Sequence, residues 1–185
     1  MKQKQCLNRQ NLRLWLLSVT IGTGLIVFAY TAVQQSLRLG LNDPQWQIAE
    51  DTAYQLDQGA SASSVTPGNV IDESRSLATF VTIVDKNIAV IASSGKIGTS
   101  VPLPPASSFP DAKKRGNNWF TWQHDNNTVR DATVIIPYSH GNTSGYVLVA
   151  RSMKQVENTI AHITVLAGLT LIGVLLVPAL ILLLI

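Results

Sequence analysis

The chain has 185 residues, 14 Lys and Arg against 11 Asp and Glu, and a formal net charge of +3 at pH 7. A basic balance of this kind does not mark a nucleic-acid binder here. Four of the 14 basic residues, Lys2, Lys4, Arg9 and Arg13, stand ahead of an uncharged stretch, which leaves ten against eleven acids in residues 34–159. One cysteine, Cys6, excludes a disulfide-stapled fold, so the folded body must stand on an apolar core.

Two uncharged apolar runs, residues 14–33 and 160–185, bracket the chain. At about 1.5 Å per residue, each is long enough to cross a hydrocarbon layer roughly 30 Å thick. We therefore expect a cytoplasmic basic tail over residues 1–13, a first transmembrane helix over 14–33 and a second over 160–185. Basic residues flanking the first span stay inside, which predicts a plasma (inner) membrane protein whose central domain is extracytoplasmic. A cleaved secretory signal is the competing reading, but its apolar core runs about 7 to 15 residues and ends at a small-x-small site. Ala29-Tyr30-Thr31 is the nearest approximation to such a site, so we read an uncleaved anchor. Ser18-x-x-x-Gly22 and Thr20-x-x-x-Gly24 place small residues at a spacing that permits close helix approach, or arise by chance.

Residues 34–41 read as a stalk broken near Gly40, and Asn42-Asp43-Pro44 reads as a new helix start. Trp46, Ala49, Ala53 and Leu56 then recur at helical spacing, predicting an amphipathic helix that ends near Gly59. Residues 59–69 are small and polar and read as a loop. Residues 77–84 and 88–92, separated by Asp85-Lys86-Asn87, predict a hairpin. The connector over residues 93–118 is long enough to hold a functional loop or a short helix, and its run Lys113-Lys114-Arg115 reads as a solvated loop.

Three more strands are predicted over residues 119–123, 129–137 and 146–150, with turns at 125–127 and at Gly141-Asn142. The fold class is thus α+β: a five-stranded antiparallel sheet, two strands plus three, covered by an N-terminal helix on one face. Alternation puts Arg130, Ala132, Val134 and Ile136 on one side and Val129, Asp131, Thr133 and Ile135 on the other. The domain spans residues 42–151, and residues 152–159 form an exit helix leading into the second span.

The chain lacks HExxH, CxxC, GxSxG and Walker-type spacings, and we expect no enzyme, no metal and no cofactor. His124 and His140 fall in predicted turns and read as solvated. Trp119, Phe120 and Trp122 form the densest aromatic cluster, with Phe120 and Trp122 predicted on one face and Trp119 on the other. Trp122, Arg130, Tyr138 and His140 are the candidate ligand-binding residues, with Arg130 placed as a bidentate clamp for a carboxylate.

The order of a leading helix, two strands, a long connector, three strands and a return into an apolar helix resembles extracytoplasmic PAS-like sensor domains of the single Cache type. Residues 145–157 (GYVLVARSMKQVE) look like the last strand and exit helix of that family, and residues 80–92 are similar to its first hairpin. These domains occur in bacterial sensor kinases and chemoreceptors, and the resemblance implies a ligand cavity between sheet and connector. Two departures accompany it. No output domain is expected beyond the second span, and Arg130 is followed by Asp131 and Ala132 instead of the Arg-x-Trp-Tyr cluster of amino-acid-binding double Cache domains. The expected function is a sensory or interaction module whose partners are the lipid bilayer, an unknown membrane or envelope protein, and a second copy joined through the membrane helices. A ligand-free accessory subunit of an envelope complex and a truncated kinase or chemoreceptor remain alternatives.

Overall fold

In chain order the elements are α1 (Lys2–Leu39), α2 (Asp43–Asp57), α3 (Ala62–Val65), β1 (Ile71–Asp72), β2 (Phe80–Asp85), β3 (Val90–Ser93), β4 (Gly95–Lys96), α4 (Ser108–Arg115), β5 (Asn118–Gln123), β6 (Arg130–His140), β7 (Thr143–Ser152) and α5 (Lys154–Leu184). The computed structural model describes residues 2–40, 43–124 and 130–184. The proposed helix cap at Asn42, the turn at 125–127, and Val129 lie outside the described residues. Two units result, Met1–Leu37 with Glu157–Ile185, and Arg38–Val156.

The first unit pairs α1 with α5. Each holds a stretch long and apolar enough to cross a membrane, Arg9–Leu37 in α1 and Lys154–Ile181 in α5. Residues 2–13 of the basic tail and 34–39 of the stalk are helical, continuous with the apolar run between them. Gly22 lies at the contact: a Cβ there would meet Val174 Cγ1 at 2.7 Å. Tyr30 and Thr164 share a hydroxyl hydrogen bond of 2.9 Å across the pair, and Trp15 Nε1 donates to the Leu175 carbonyl at 3.4 Å. Gly24 has open space around it, so only one of the two small-residue spacings serves this contact.

The second unit is built on an antiparallel sheet of order β3-β2-β7-β6-β5, the predicted hairpin at one edge and the predicted three strands at the other. Gly141, at φ 56, occupies the first position of the two-residue β6–β7 turn, the requirement of a type II′ connection. In the β2–β3 turn the Asp85 Oδ1 accepts from the Asn87 and Ala89 amides, each at 2.8 Å. Ile88 takes φ 68 there, a conformation that costs a β-branched residue, and its side chain packs against the core in return.

Both faces of the sheet are covered, where the sequence led us to expect one. Ala49, Ala53 and Leu56 of α2 pack on Val81, Ile83, Val134, Val147 and Val149. On the other side, Phe109 and Ala112 of α4 pack on Phe80, Val84, Ile135, Leu148 and Ala150. The connector supplies this second cover because its Lys113-Lys114-Arg115 run closes a helix, ended by Gly116 at φ 82, and is not a loop. Residues 59–69 likewise hold α3, whose start is capped by the Ser61 hydroxyl. A short parallel pair, β1 with β4, was not legible in the sequence.

Candidate functional site

The two ends of β6 carry different chemistry. Arg130 and Tyr138 stand eight residues apart on this strand, a separation of about 27 Å at the antiparallel rise. The four candidate residues therefore do not converge. Trp122 and Arg130 lie at the end from which α5 leaves, whereas Tyr138 and His140 lie at the β6–β7 turn.

At the turn end a cleft of about 440 Å³ is lined by Asp57, Lys86, Lys113, Tyr138, Gly145 and Tyr146, among others. Lys86 comes from the β2–β3 turn and Lys113 from the last turn of α4, so two lysines distant in sequence line one opening. Tyr138 is 5% exposed, and burial, followed by the Asp85 carboxylate, pushes its hydroxyl above the ordinary phenol range. It stays protonated at neutral pH and remains a donor. A Cβ on Gly145 would stand 2.9 Å from the Tyr138 hydroxyl oxygen, so only glycine leaves the ring its place.

His140 is exposed, as expected, but it is the last residue of β6 and not a turn residue. Its Nδ1 donates to the Asp57 carbonyl at 2.7 Å; a carbonyl only accepts, so that nitrogen carries the hydrogen. Asp57 Oδ1 accepts from the Ser139 amide at 2.6 Å. These two bonds tie the end of α2 to the end of β6, and they commit one face of His140 to structure.

At the opposite end, Trp122 is half-buried and its Nε1 donates to Thr133 Oγ1 at 3.0 Å. Trp119 is 57% exposed on the other side of β5, in line with the predicted alternation. Arg130 is exposed, and its carbonyl accepts from the Met153 amide at 2.7 Å. His124, read from sequence as a solvated residue, is half-buried with its ring 5.9 Å from that of Trp122. Its neighbour Asp125 lies outside the described residues.

The group sequence reading passed over is Asp131 with Glu73, 1% and 2% exposed. Asp131 pairs with Trp122 on β5 and Ser152 on β7. Burial pushes its carboxyl up to about 8, helped by a side-chain hydrogen bond to Glu73 and by the charge of that residue. One signal was available: an acid inside the otherwise apolar run ATVII and its flank, on the face that alternation shares with Thr133 and Ile135. Glu73 carried no such signal, because it follows a two-residue strand. Among the described residues no group of three or more His, Cys, Asp and Glu is placed to hold a metal ion.

No family model matches this sequence, and no curated protein matches it. Among solved structures the chain is similar to a chemoreceptor domain. That structure is the ligand binding domain of the Pseudomonas aeruginosa PAO1 amino acid chemoreceptor PctC in complex with GABA, at 13% identity and a TM-score of 0.44. The match covers 76% of this chain and 61% of that one, so the chain spans about three fifths of the structure it resembles.

Proposed function

We propose that the chain is a membrane-anchored sensory module with a PAS-like, single Cache type extracytoplasmic domain, relaying an event at its turn-end cleft through α5. The observation that carries this reading is the join between sheet and helix. β7 ends at Ser152, α5 begins at Lys154, and Ala132, Met153 and Val156 pack as one apolar cluster across the join. With no linker to absorb it, a shift of β7 along its ladder reaches the first turn of α5.

The cleft is suited to a small molecule bearing an anionic group, which Lys86 and Lys113 attract and the Tyr138 hydroxyl orients. The signal then passes by helix packing to a second copy or to another membrane protein. Orientation rests on the basic residues ahead of α1.

Two measurements test this reading. In a Cys6→Ser background, Ser144→Cys on intact cells reacts with a membrane-impermeant maleimide; reaction only after lysis overturns the outward placement. In lipid nanodiscs, a screen of small carboxylates and phosphates by thermal shift yields a compound whose stabilisation is lost in Lys113→Ala. Absence of any such compound removes the cleft from the reading.

Exposed apolar side chains on both edge strands favour a second reading, an accessory subunit that docks on another envelope protein. Ile91 on β3 is 50% exposed and Trp119 on β5 57%. Crosslinking from position 119 to a single envelope protein, with no response to any small molecule, would select it.

A further inference from the structure

A second cavity opens on the α2 side of the sheet and is used by nothing described above. We infer that it is a binding site for a small uncharged molecule, with an apolar body of one or two rings and one hydroxyl or N–H group that donates to His140 Nε2.

The cavity holds about 240 Å³ and lies where the chain leaves α2. Leu56 and residues 59–62 line it from the end of that helix, and Ile91, Tyr138 and His140 line it from the sheet. Tyr138 is the one lining residue shared with the cleft. The cleft has the charged side chains Asp57, Lys86 and Lys113, whereas among the described residues the lining of this cavity has no Lys, Arg, Asp or Glu. An ion placed there would lose water and gain no opposite charge, so the occupant that fits is neutral.

Two observations make His140 the polar contact. Its Nδ1 carries the hydrogen and gives it to the Asp57 carbonyl at 2.7 Å, so Nε2 of the neutral ring is an acceptor held in a fixed position. Gly59 keeps the approach to that nitrogen open. A Cβ on residue 59 would stand 3.0 Å from Nε2 and 3.2 Å from Cε1, and a φ of 90 suits glycine in any case. The other polar groups along the turn are engaged. The Gln58, Gly59 and Ala60 amides donate to the Tyr54, Leu56 and Gln55 carbonyls, each at 3.0 Å, and Ser61 Oγ accepts from the Ser64 amide at 3.3 Å. Thr143 also lines the cavity, but a hydroxyl serves donors and acceptors alike and sets no preference.

Volume limits the rest of the molecule. An apolar cavity of about 150 Å³ is enough for benzene, and drug-sized ligands need roughly 300 Å³ or more. The space here falls between the two, which admits one or two rings. Ile91, 50% exposed, is the apolar side chain that such a body would cover.

The probe is indole, with benzofuran as its isostere; the two share a shape, but benzofuran has an ether oxygen in place of the N–H. Methyl NMR of the full chain in lipid nanodiscs at pH 8 follows Ala60, Ala62 and Ile91, while Ile163 in α5 reports probe dissolved in the bilayer. In the wild type, indole shifts the three cavity methyls saturably, and benzofuran binds at least about threefold more weakly, the size of one net hydrogen bond. His140→Asn keeps an amide donor for the Asp57 carbonyl and has no acceptor at the Nε2 position, so indole falls to the level of benzofuran. Ala62→Leu takes up the space without altering either partner of the Asp57–His140 bond, and it loses both probes; this holds the proposal to account even if His140→Asn fails to fold. No saturable shift at 60, 62 and 91, equal affinity for the two probes in the wild type, a preference for indole retained in His140→Asn, or binding retained in Ala62→Leu each overturns the site. The site does not rest on the sensory reading: a chain that binds indole here and no anion in the cleft upholds the site and removes the cleft.

Discussion

Gly145 shows how much one position can carry. A Cβ there would collide with the Val84 carbonyl on β2 and stand 2.9 Å from the Tyr138 ring, so both a ladder and a cleft wall depend on its absence. We expect Gly145→Ala to destabilise the protein by about 1–3 kcal/mol, the range for forced overpacking, and to weaken any cleft ligand as well; urea melts and thermal shifts report the two effects. Asp131 makes a prediction of opposite sign. Its carboxyl is raised to about 8 in the fold, so the folded chain holds a proton that the unfolded chain has lost above about pH 4. Stability present in acid is thereby lost as pH climbs through that window. Asp131→Asn should melt above the wild type at pH 8.5, with the gap closing toward pH 5. Of the residues concerned, Tyr138 and His140 were named as site candidates from sequence, although both fell beyond the predicted strand over residues 129–137. Lys86 and Lys113 were not, since their meeting depends on how a turn and a helix are placed in space.

Among the elements, periodicity served the long ones. α2 was readable from Trp46, Ala49, Ala53 and Leu56, and all five strands of the main sheet from their β-branched runs. β1 and β4 have two residues each, and α3 has four, too few for any repeat to register. α4 was hidden by three consecutive cations, which sit in its last turn where they complement the helix dipole. Gly116 ends that helix at φ 82 with open space around it. Gly116→Ala should therefore cost about 1 kcal/mol through backbone strain alone, visible as a small drop in melting temperature with cleft binding retained. In the first unit, Gly22 meets Val174. Gly22→Leu should part α1 from α5: cysteines placed at 30 and 164 should crosslink with Gly22 in place and several-fold less in the variant.

For the whole molecule, the decisive feature is continuity. The same backbone forms β7, pairs with both β2 and β6, and becomes α5 after a single residue. If the domain signals by shifting this strand, three glycines inserted between Met153 and Lys154 should leave ligand-induced stabilisation of the domain intact. The same insertion should abolish ligand-dependent changes in α5, read by exchange or by helix crosslinking. Retention of those changes would show that the signal leaves by another route.

The order of residues alone determined the apolar runs, the placement of charge, the α+β class and the two-plus-three grouping of strands. Each follows from composition or from a repeat along one segment, which needs no knowledge of what lies opposite. Tertiary structure decided that α4 would cover the second face, that Trp122 and Arg130 would stand far from Tyr138 and His140, and that Glu73 would meet Asp131. These are meetings between segments distant along the chain, and the burial that raises the Asp131 carboxyl exists only once the chain has folded around it.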